Sequence, residues 1–338
     1  INLQFRKHVG NVPTIIHYIV RREEGGFRVD SGTIRFESLN RLIDYYSGRQ
    51  NTSNVVLSYS VKKDEPVTQW EFDSEVILPG RYLGGGNFGQ VHQGTLFGSE
   101  VVALKSFKRG IDAALIMKEA EIARRVNHEN VLRTIGVCRN PMQIITEFMP
   151  NNSLNRYLKR KHTENANISD AVKLSIAMKI ARGMAYLASL NIVHRDLAAR
   201  NVLVGETHDV IKIADFGLAR TLPNKDKEYY MTHADEIPWK WTAPEALVYK
   251  EGRVTKAADV WSFGILLWEI QSNGEEPFRG IHVTQFIEMI ESETMHLPRS
   301  AECPVEIHQL MLQCCVYDRK LRTTFDEICT TLSAVQKK

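Results

Sequence analysis

Three side chains between Val193 and Gly217 have the types and spacing to hold a cation and to move a proton. Asp196, Asn201 and Asp215 supply hard oxygen donors. Mg²⁺ prefers such donors, keeps several waters and shares its remaining positions with substrate phosphates. A third oxygen side chain then orients a hydroxyl nucleophile or accepts its proton. Taken singly, Asp and Asn beside Gly are ordinary turn formers; together they need a frame that aims them at one edge. Val202-Leu203-Val204 and Val210-Ile211-Lys212-Ile213-Ala214 read as two short β-branched strands, and the polar stretch Gly205 to Asp209 joins them as a hairpin. Asp196 and Asn201 then lie on the loop entering the hairpin, and Asp215 lies where its second strand stops.

The runs His194-Arg195-Asp196-Leu197-Ala198-Ala199-Arg200-Asn201 and Asp215-Phe216-Gly217 resemble the catalytic loop and the metal-binding motif of protein kinases. The Ala198-Ala199-Arg200 insert is similar to the tyrosine kinase form, and serine/threonine kinases usually carry a Lys two residues after the Asp. The resemblance implies that Asp196 acts on the acceptor hydroxyl, that Arg200 suits a phenol, and that Asn201 and Asp215 hold Mg²⁺.

Further parts follow in the order that such a kinase requires. Leu83-Gly84-Gly85-Gly86-Asn87-Phe88-Gly89-Gln90-Val91 fits G-x-G-x-x-G-x-V, where glycines let backbone N–H groups approach phosphate oxygens. A dinucleotide fingerprint runs into a helix, whereas Val91 to Leu96 reads as a strand, which favours the kinase version. Lys105 ends the apolar strand Val101-Val102-Ala103-Leu104 and needs an anion there. By resemblance it holds the ATP phosphates and pairs with a helix glutamate. Glu119 and Glu121 compete for that place on an amphipathic helix from Ala113 to Asn127 capped by Asp112, and the motif-like Lys118-Glu119-Ala120 selects Glu119. The strand Gln143 to Met149 leads into Pro150-Asn151-Asn152, a passage suited to an adenine slot; the resemblance implies that Thr146 lies at its back and Glu147 and Met149 on the connection.

Tyr229 and Tyr230 lie among charges between Asp215-Phe216-Gly217 and Ala243-Pro244-Glu245. The resemblance makes them autophosphorylation sites, with Arg195 the candidate to meet the added charge. Pro238-Trp239-Lys240-Trp241 is similar to the segment that supports a tyrosine acceptor, and Trp239 stands where a smaller apolar residue is commoner. Asp259 opens an apolar helix and would cap or brace the catalytic loop, and Arg322 would pair with Glu245. Cys315 and Thr323 replace the Trp and Pro usual in the closing motif.

The expected fold is α+β: a bilobal kinase domain over residues 76–335, with a β-rich small lobe (76–149) and a helical large lobe (150–335). Residues 61–75 read as a polar linker, in which Trp70 is expected to pack against the next domain. Ahead of it, Thr14 to Val20, a turn at Arg21 to Gly26, and Phe27 to Val29 read as a hairpin. A helix near Phe36 to Tyr46 is capped by Ser38. His17-Tyr18 and Phe36-Glu37-Ser38-Leu39 resemble the second half of an SH2 domain, so residues 1–60 are expected to be a partial one, nearest to cytoplasmic kinases of the Syk or Shark type. The arginine that grips phosphotyrosine in that family would precede residue 1. Because residue 1 is Ile, the chain is expected to be part of a longer protein.

The 338 residues carry 43 basic and 40 acidic side chains, a net charge of +3 that gives no reason to invoke nucleic acid or a membrane surface. Five cysteines, odd in number and without a CxxC pair, suit reduced cytoplasmic thiols, and no apolar run approaches a membrane span. The expected function is transfer of the γ-phosphoryl group of Mg²⁺-ATP to protein tyrosines. Phosphotyrosine proteins are expected to bind through a complete SH2 domain. The alternative is a pseudokinase or adaptor, which loss of Lys105, Asp196 or Asp215 would have favoured.

Overall fold

The computed structural model describes residues 2–9, 12–23, 26–29, 34–38, 41–42, 45, 70–85, 89–108, 112–216, 219–221, 229–230, 238–247 and 253–337. The chain divides into two compact units, Ile1–Gln69 and Trp70–Lys338.

In the first unit, β1 (Asn2–Val9), β2 (Val12–Glu23), β3 (Gly26–Val29) and β4 (Arg35–Phe36) form an antiparallel sheet in sequence order. The turn is shorter than the sequence suggested. Arg21, Arg22 and Glu23 continue β2 and pair with Arg28, Phe27 and Gly26. A Cβ at Gly26, where φ is +148°, would collide with the Phe36 carbonyl. Residues 41, 42 and 45 are helical. The Ser38 hydroxyl accepts the Arg41 N–H at 3.3 Å and its carbonyl accepts the Leu42 N–H at 3.2 Å, an N-cap arrangement. Leu39, Ile43 and Tyr46 lie outside the described residues.

The second unit begins with a five-stranded antiparallel sheet in the order β5 (Ile77–Gly85), β6 (Gly89–Leu96), β7 (Glu100–Phe107), β9 (Met142–Glu147), β8 (Thr134–Arg139). Helix α1 (Ala113–Arg124) is capped by Asp112, whose carboxylate accepts the Ala114 N–H at 2.8 Å, and it packs on β8. Residues 70–75, expected as the end of the linker, belong instead to this lobe. Trp70 and Phe72 exchange backbone hydrogen bonds with Val137, and Phe72 is buried among Ile77, Leu96 and Val102. Trp70 packs with Ile116, Ala120 and Ile144 under the Arg124 guanidinium, 5.3 Å from the ring centroid. Aromatic area of this kind gains more inside the lobe than in water, so the lobe claims the end of the polar stretch.

Below the sheet lie α2 (Leu154–Thr163), α3 (Asp170–Ser189), α4 (Lys256–Gln271), α5 (Val283–Glu291), α6 (Val305–Cys314) and α7 (Phe325–Gln336). Ser169 caps α3 by accepting the Val172 N–H, and Thr324 and Glu327 close a capping box on α7. Helix α4 buries all but a few of its residues at the centre of one large core, which Met178 and Met184 help to fill. A Cβ at Gly264 would meet Cys315 Sγ at 2.7 Å and Cys314 Cβ at 2.8 Å, so α6 lies close against α4 there. Glu245 and Arg322 form a buried pair. The short strands β10 (Ile192–Val193), β11 (Val202–Val204), β12 (Ile211–Ile213), β13 (Arg220–Thr221), β14 (Tyr229–Tyr230) and β15 (Arg253–Val254) pair two by two: β10 with β13, β11 with β12, β14 with β15. Among the described residues no helix is long and apolar enough to cross a membrane.

Candidate active site

A cavity of about 410 Å³ opens beneath the sheet. Leu83, Val91, Ala103, Leu132, Met149 and Leu203 give it apolar walls, and Lys105, Glu119, Asn201 and Asp215 give it a charged end. Each charged group is delivered by a different element. Lys105 comes from β7, where it lies opposite Ile144 of β9, and Glu119 comes from α1. Asp215 follows β12 with φ +68°, a left-handed backbone uncommon for residues other than Gly but adopted by Asn and Asp more often than by most. Lys105 Nζ reaches Glu119 Oε1 at 2.7 Å and Asp215 Oδ1 at 2.8 Å. Burial alone would lower the Lys105 pKa, but Asp215 and Glu119 together hold it above its usual range. Burial pushes Glu119 upward, Lys105 opposes the shift and the Asp215 charge adds to it.

The loop after β10 is fixed from α4. Asp259 accepts the backbone N–H of His194 at 2.7 Å and of Arg195 at 2.9 Å, and Arg195 has φ +70°. The fully buried His194 ring faces the Ala214 carbonyl through Nε2 at 3.0 Å and accepts the Asp196 N–H through Nδ1 at 3.3 Å. Those contacts tie the loop to the far end of the hairpin. Asn201 Nδ2 donates to the Asp196 carbonyl at 2.8 Å and to its Oδ2 at 2.7 Å, and Arg200 forms an ion pair with Oδ1. Burial raises the Asp196 pKa, with Arg200 pulling the other way. The Arg200 guanidinium also lies 4.2 Å from the Trp241 ring centroid.

The donor set fits a Mg²⁺-bound polyphosphate. Asn201 and Asp215 offer an amide and a carboxylate at the charged end, a lysine stands beside them, and the apolar walls can take a flat ring. Among the described residues no group of three or more His, Cys, Asp or Glu could hold a metal without such help.

The family model for protein tyrosine and serine/threonine kinases matches residues 78–332. The chain belongs to the protein kinase family. Members use ATP with a divalent metal. Tyrosine-protein kinase FRK of Homo sapiens is 36% identical to it over 340 residues, which cover 96% of this chain and 66% of that protein. Tyrosine-protein kinase Fer of Homo sapiens is 39% identical over 333 residues, 95% of this chain and 39% of that protein. The chain thus spans from 39% to 66% of the length of these relatives.

Within this kinase fold, the cavity gathers Leu83, Gly84, Gly85, Val91, Lys105, Glu119, Thr146, Glu147, Met149, Arg200, Asn201 and Asp215. Gly89 and Gln90 lie on β6 away from its lining, where a Cβ at Gly89 would collide with the Ser106 carbonyl. Asp196 sits beside the lining, joined to it through Arg200 and Asn201. Gly86, Asn87, Phe88 and Gly217 lie outside the described residues. Tyr229 and Tyr230 form β14 opposite Val254 and Arg253, and their side chains lie outside the description. Glu147 also braces the lobe, since its carboxylate accepts the Arg133 N–H at 2.7 Å and pairs with Lys212 at 2.8 Å.

Glu269 is a site residue that the sequence reading passed over, and its partner is Trp241, a member of the segment that resembles the support of a tyrosine acceptor. Glu269 lies on α4, buried, and accepts N–H groups from Ala199 and Trp241 at 2.9 Å each. Burial pushes its pKa up to about 7 against the pull of those two donors. The signal present in the sequence is an acid interrupting the apolar helix 256–271.

Proposed function

We propose that the chain is a non-receptor, ATP-dependent protein tyrosine kinase. The observation that carries this reading is the joint geometry of Lys105, Glu119 and Asp215 at one end of the cavity, beside Asp196 held by Arg200 and Asn201. Lys105, kept in place by Glu119, meets phosphate oxygens, and Leu83, Ala103, Thr146, Met149 and Leu203 surround the adenine. Asn201 and Asp215 hold Mg²⁺, which supplies charge neutralisation on the phosphates when bound. Asp196 orients the tyrosine hydroxyl and takes its proton. Arg200 keeps that carboxylate aimed, and the Trp241 ring beneath the guanidinium favours a long aromatic acceptor over a short hydroxyl. Most of the rate then comes from fixed charges and positioning.

In the same reading, phosphate on Tyr229 or Tyr230 activates the enzyme. Residues 1–60 are part of an SH2 domain that in complete form brings phosphotyrosine proteins to it. Support for the latter is the antiparallel sheet and the Ser38-capped turn that follows it. Five free thiols suit a cytoplasmic setting.

The test is a pair of peptides differing only in the acceptor, Tyr or Ser, incubated with the chain and Mg²⁺-ATP. Phosphate is expected on the Tyr peptide alone. Equal transfer to Ser would overturn the acceptor assignment, and no transfer by a folded, ATP-binding chain would favour the adaptor reading.

A further inference from the structure

One tyrosine stands directly before the glycine-bearing end of β5. Leu78, Pro79, Gly80, Arg81 and Tyr82 are all exposed, and β5 is an outer strand of the small-lobe sheet. Its ladder with β6 is interrupted on both sides of Tyr82. Gly80 and Arg81 face Gln93 alone, between the pairs Pro79–Gly94 and Tyr82–His92, and Leu83 is extra before Gly84 meets Val91. Bulges of this kind bend a strand and re-aim the side chain beside them. Tyr82 is 59% exposed and lies edge-on to the His92 ring, 5.5 Å between centroids. Its hydroxyl reaches forward to the loop: a Cβ at Gly85 would meet that oxygen at 2.8 Å. Gly84 and Gly85 line the nucleotide cavity, and Tyr82 does not. The phenol is thus open to solvent while its oxygen lies beside backbone that faces the nucleotide.

We infer that Tyr82 is a phosphorylation site, modified by a second copy of this chain, and that its phosphate weakens ATP binding. The inference rests on the tyrosine kinase reading above. An outer strand with a broken ladder, and with Pro79 lacking an N–H to give, can be taken up by another molecule as an extended peptide. The Tyr82 oxygen then bonds to the γ-phosphorus of ATP held by the other copy. The bond from that phosphorus to the β–γ bridging oxygen breaks, ADP leaves with the electron pair, and the phenolic proton passes to Asp196 of the other copy. The product carries roughly two added negative charges, set beside the glycines that receive the anionic nucleotide. Like charges repel across a part-solvated surface, so KM for ATP rises while the groups that transfer phosphate are unchanged.

The experiment incubates the phosphatase-treated full chain with Mg²⁺-ATP, removes the nucleotide and locates phosphate by mass spectrometry. It then measures kcat and KM for ATP with poly(Glu, Tyr), for wild type and Tyr82→Phe. An isotope-labelled Asp196→Asn chain is also incubated with wild type, as an acceptor impaired in modifying itself. Phosphate is expected on Tyr82 of wild type and of the labelled chain. Before incubation the two active chains agree in KM for ATP within about twofold; afterwards wild type is about fivefold higher, with equal kcat at saturating ATP. Tyr82→Phe keeps the ring on His92 and controls for phosphate on any other tyrosine. Wild type that modifies poly(Glu, Tyr) but leaves Tyr82 bare overturns the inference. So does a Tyr82 phosphate that leaves the two KM values equal, or one that never appears on the labelled chain. A folded wild type that modifies no tyrosine at all overturns the tyrosine kinase reading first, and the inference with it.

Discussion

Replacing Glu245 by Gln removes a charge from a buried pair while keeping its shape. Arg322 has no exposed side-chain surface and Glu245 only 8%. The guanidinium grips both carboxylate oxygens, at 2.8 and 3.1 Å. It also donates to the carbonyls of Val316, Ala257 and Tyr317 and lies 5.3 Å from the Trp261 ring centroid. Gln keeps one acceptor oxygen, and the three carbonyls still solvate the cation, but nothing neutralises it. Breaking one side of a buried pair costs about 3–5 kcal/mol, and the retained contacts place Gln near the lower end, at about 3 kcal/mol. With about 2–4 °C of melting temperature per kcal/mol for a domain of this size class, Tm should fall by roughly 6–12 °C. Urea unfolding followed by tryptophan fluorescence gives the free energy directly, provided the slope is unchanged. The double variant Arg322→Met with Glu245→Leu removes both charges and should lose less than Glu245→Gln alone. The reasoning is refuted by a Glu245→Gln protein within about 1 kcal/mol of wild type, or by a double variant that loses more than the single one.

Two further outcomes follow from buried groups. Burial holds Glu269 at about 7 against the ordinary 4.5, so the native state binds that proton more tightly than the unfolded chain. Its contribution to stability is complete below pH 4.5 and is lost as pH rises to about 7. Glu269→Gln cannot titrate, so the stability gap should move by about 3 kcal/mol in favour of Gln between pH 4.5 and pH 8; a gap constant across denaturant titrations would contradict this. Trp70→Ala should destabilise the kinase unit by about 2 kcal/mol, below the range for a fully buried Trp, because Trp70 packs with Ile116, Ala120, Val137 and Ile144 but is only half-buried. A thermal melt unchanged by Trp70→Ala would return it to the linker.

What the sequence made legible is what short stretches encode. The β-branched runs around Gly205 to Asp209 pair as a hairpin, Val202 opposite Ile213, because both strands and their turn lie within one stretch of chain. Lys118-Glu119-Ala120 singles out Glu119 from Glu121, and Lys105 reaches Glu119 at 2.7 Å, the spacing of a strand followed by one helix. Glu269 was not legible. Its partners Ala199 and Trp241 lie 70 and 28 residues away along the chain, and an acid inside an apolar helix says only that some donor must meet it. Trp70 was expected to pack against the next domain and does, but its partner there, the β8 edge at Val137, is not visible in the polar stretch around it. The extent of β2 was missed for a different reason: Arg21-Arg22-Glu23 has the charge of a turn, and only pairing to β3 shows it to be strand.

The central claim is that Asp196, braced by Arg200 and Asn201, works on a tyrosine hydroxyl beside a Lys105-anchored nucleotide. Phosphate incorporation from Mg²⁺-ATP into a poly(Glu, Tyr) substrate, compared between wild type and Asp196→Asn, tests it most directly. The account predicts transfer to tyrosine by the wild type and a fall of about 10²-fold or more in the variant. Equal rates from the two folded proteins would contradict it.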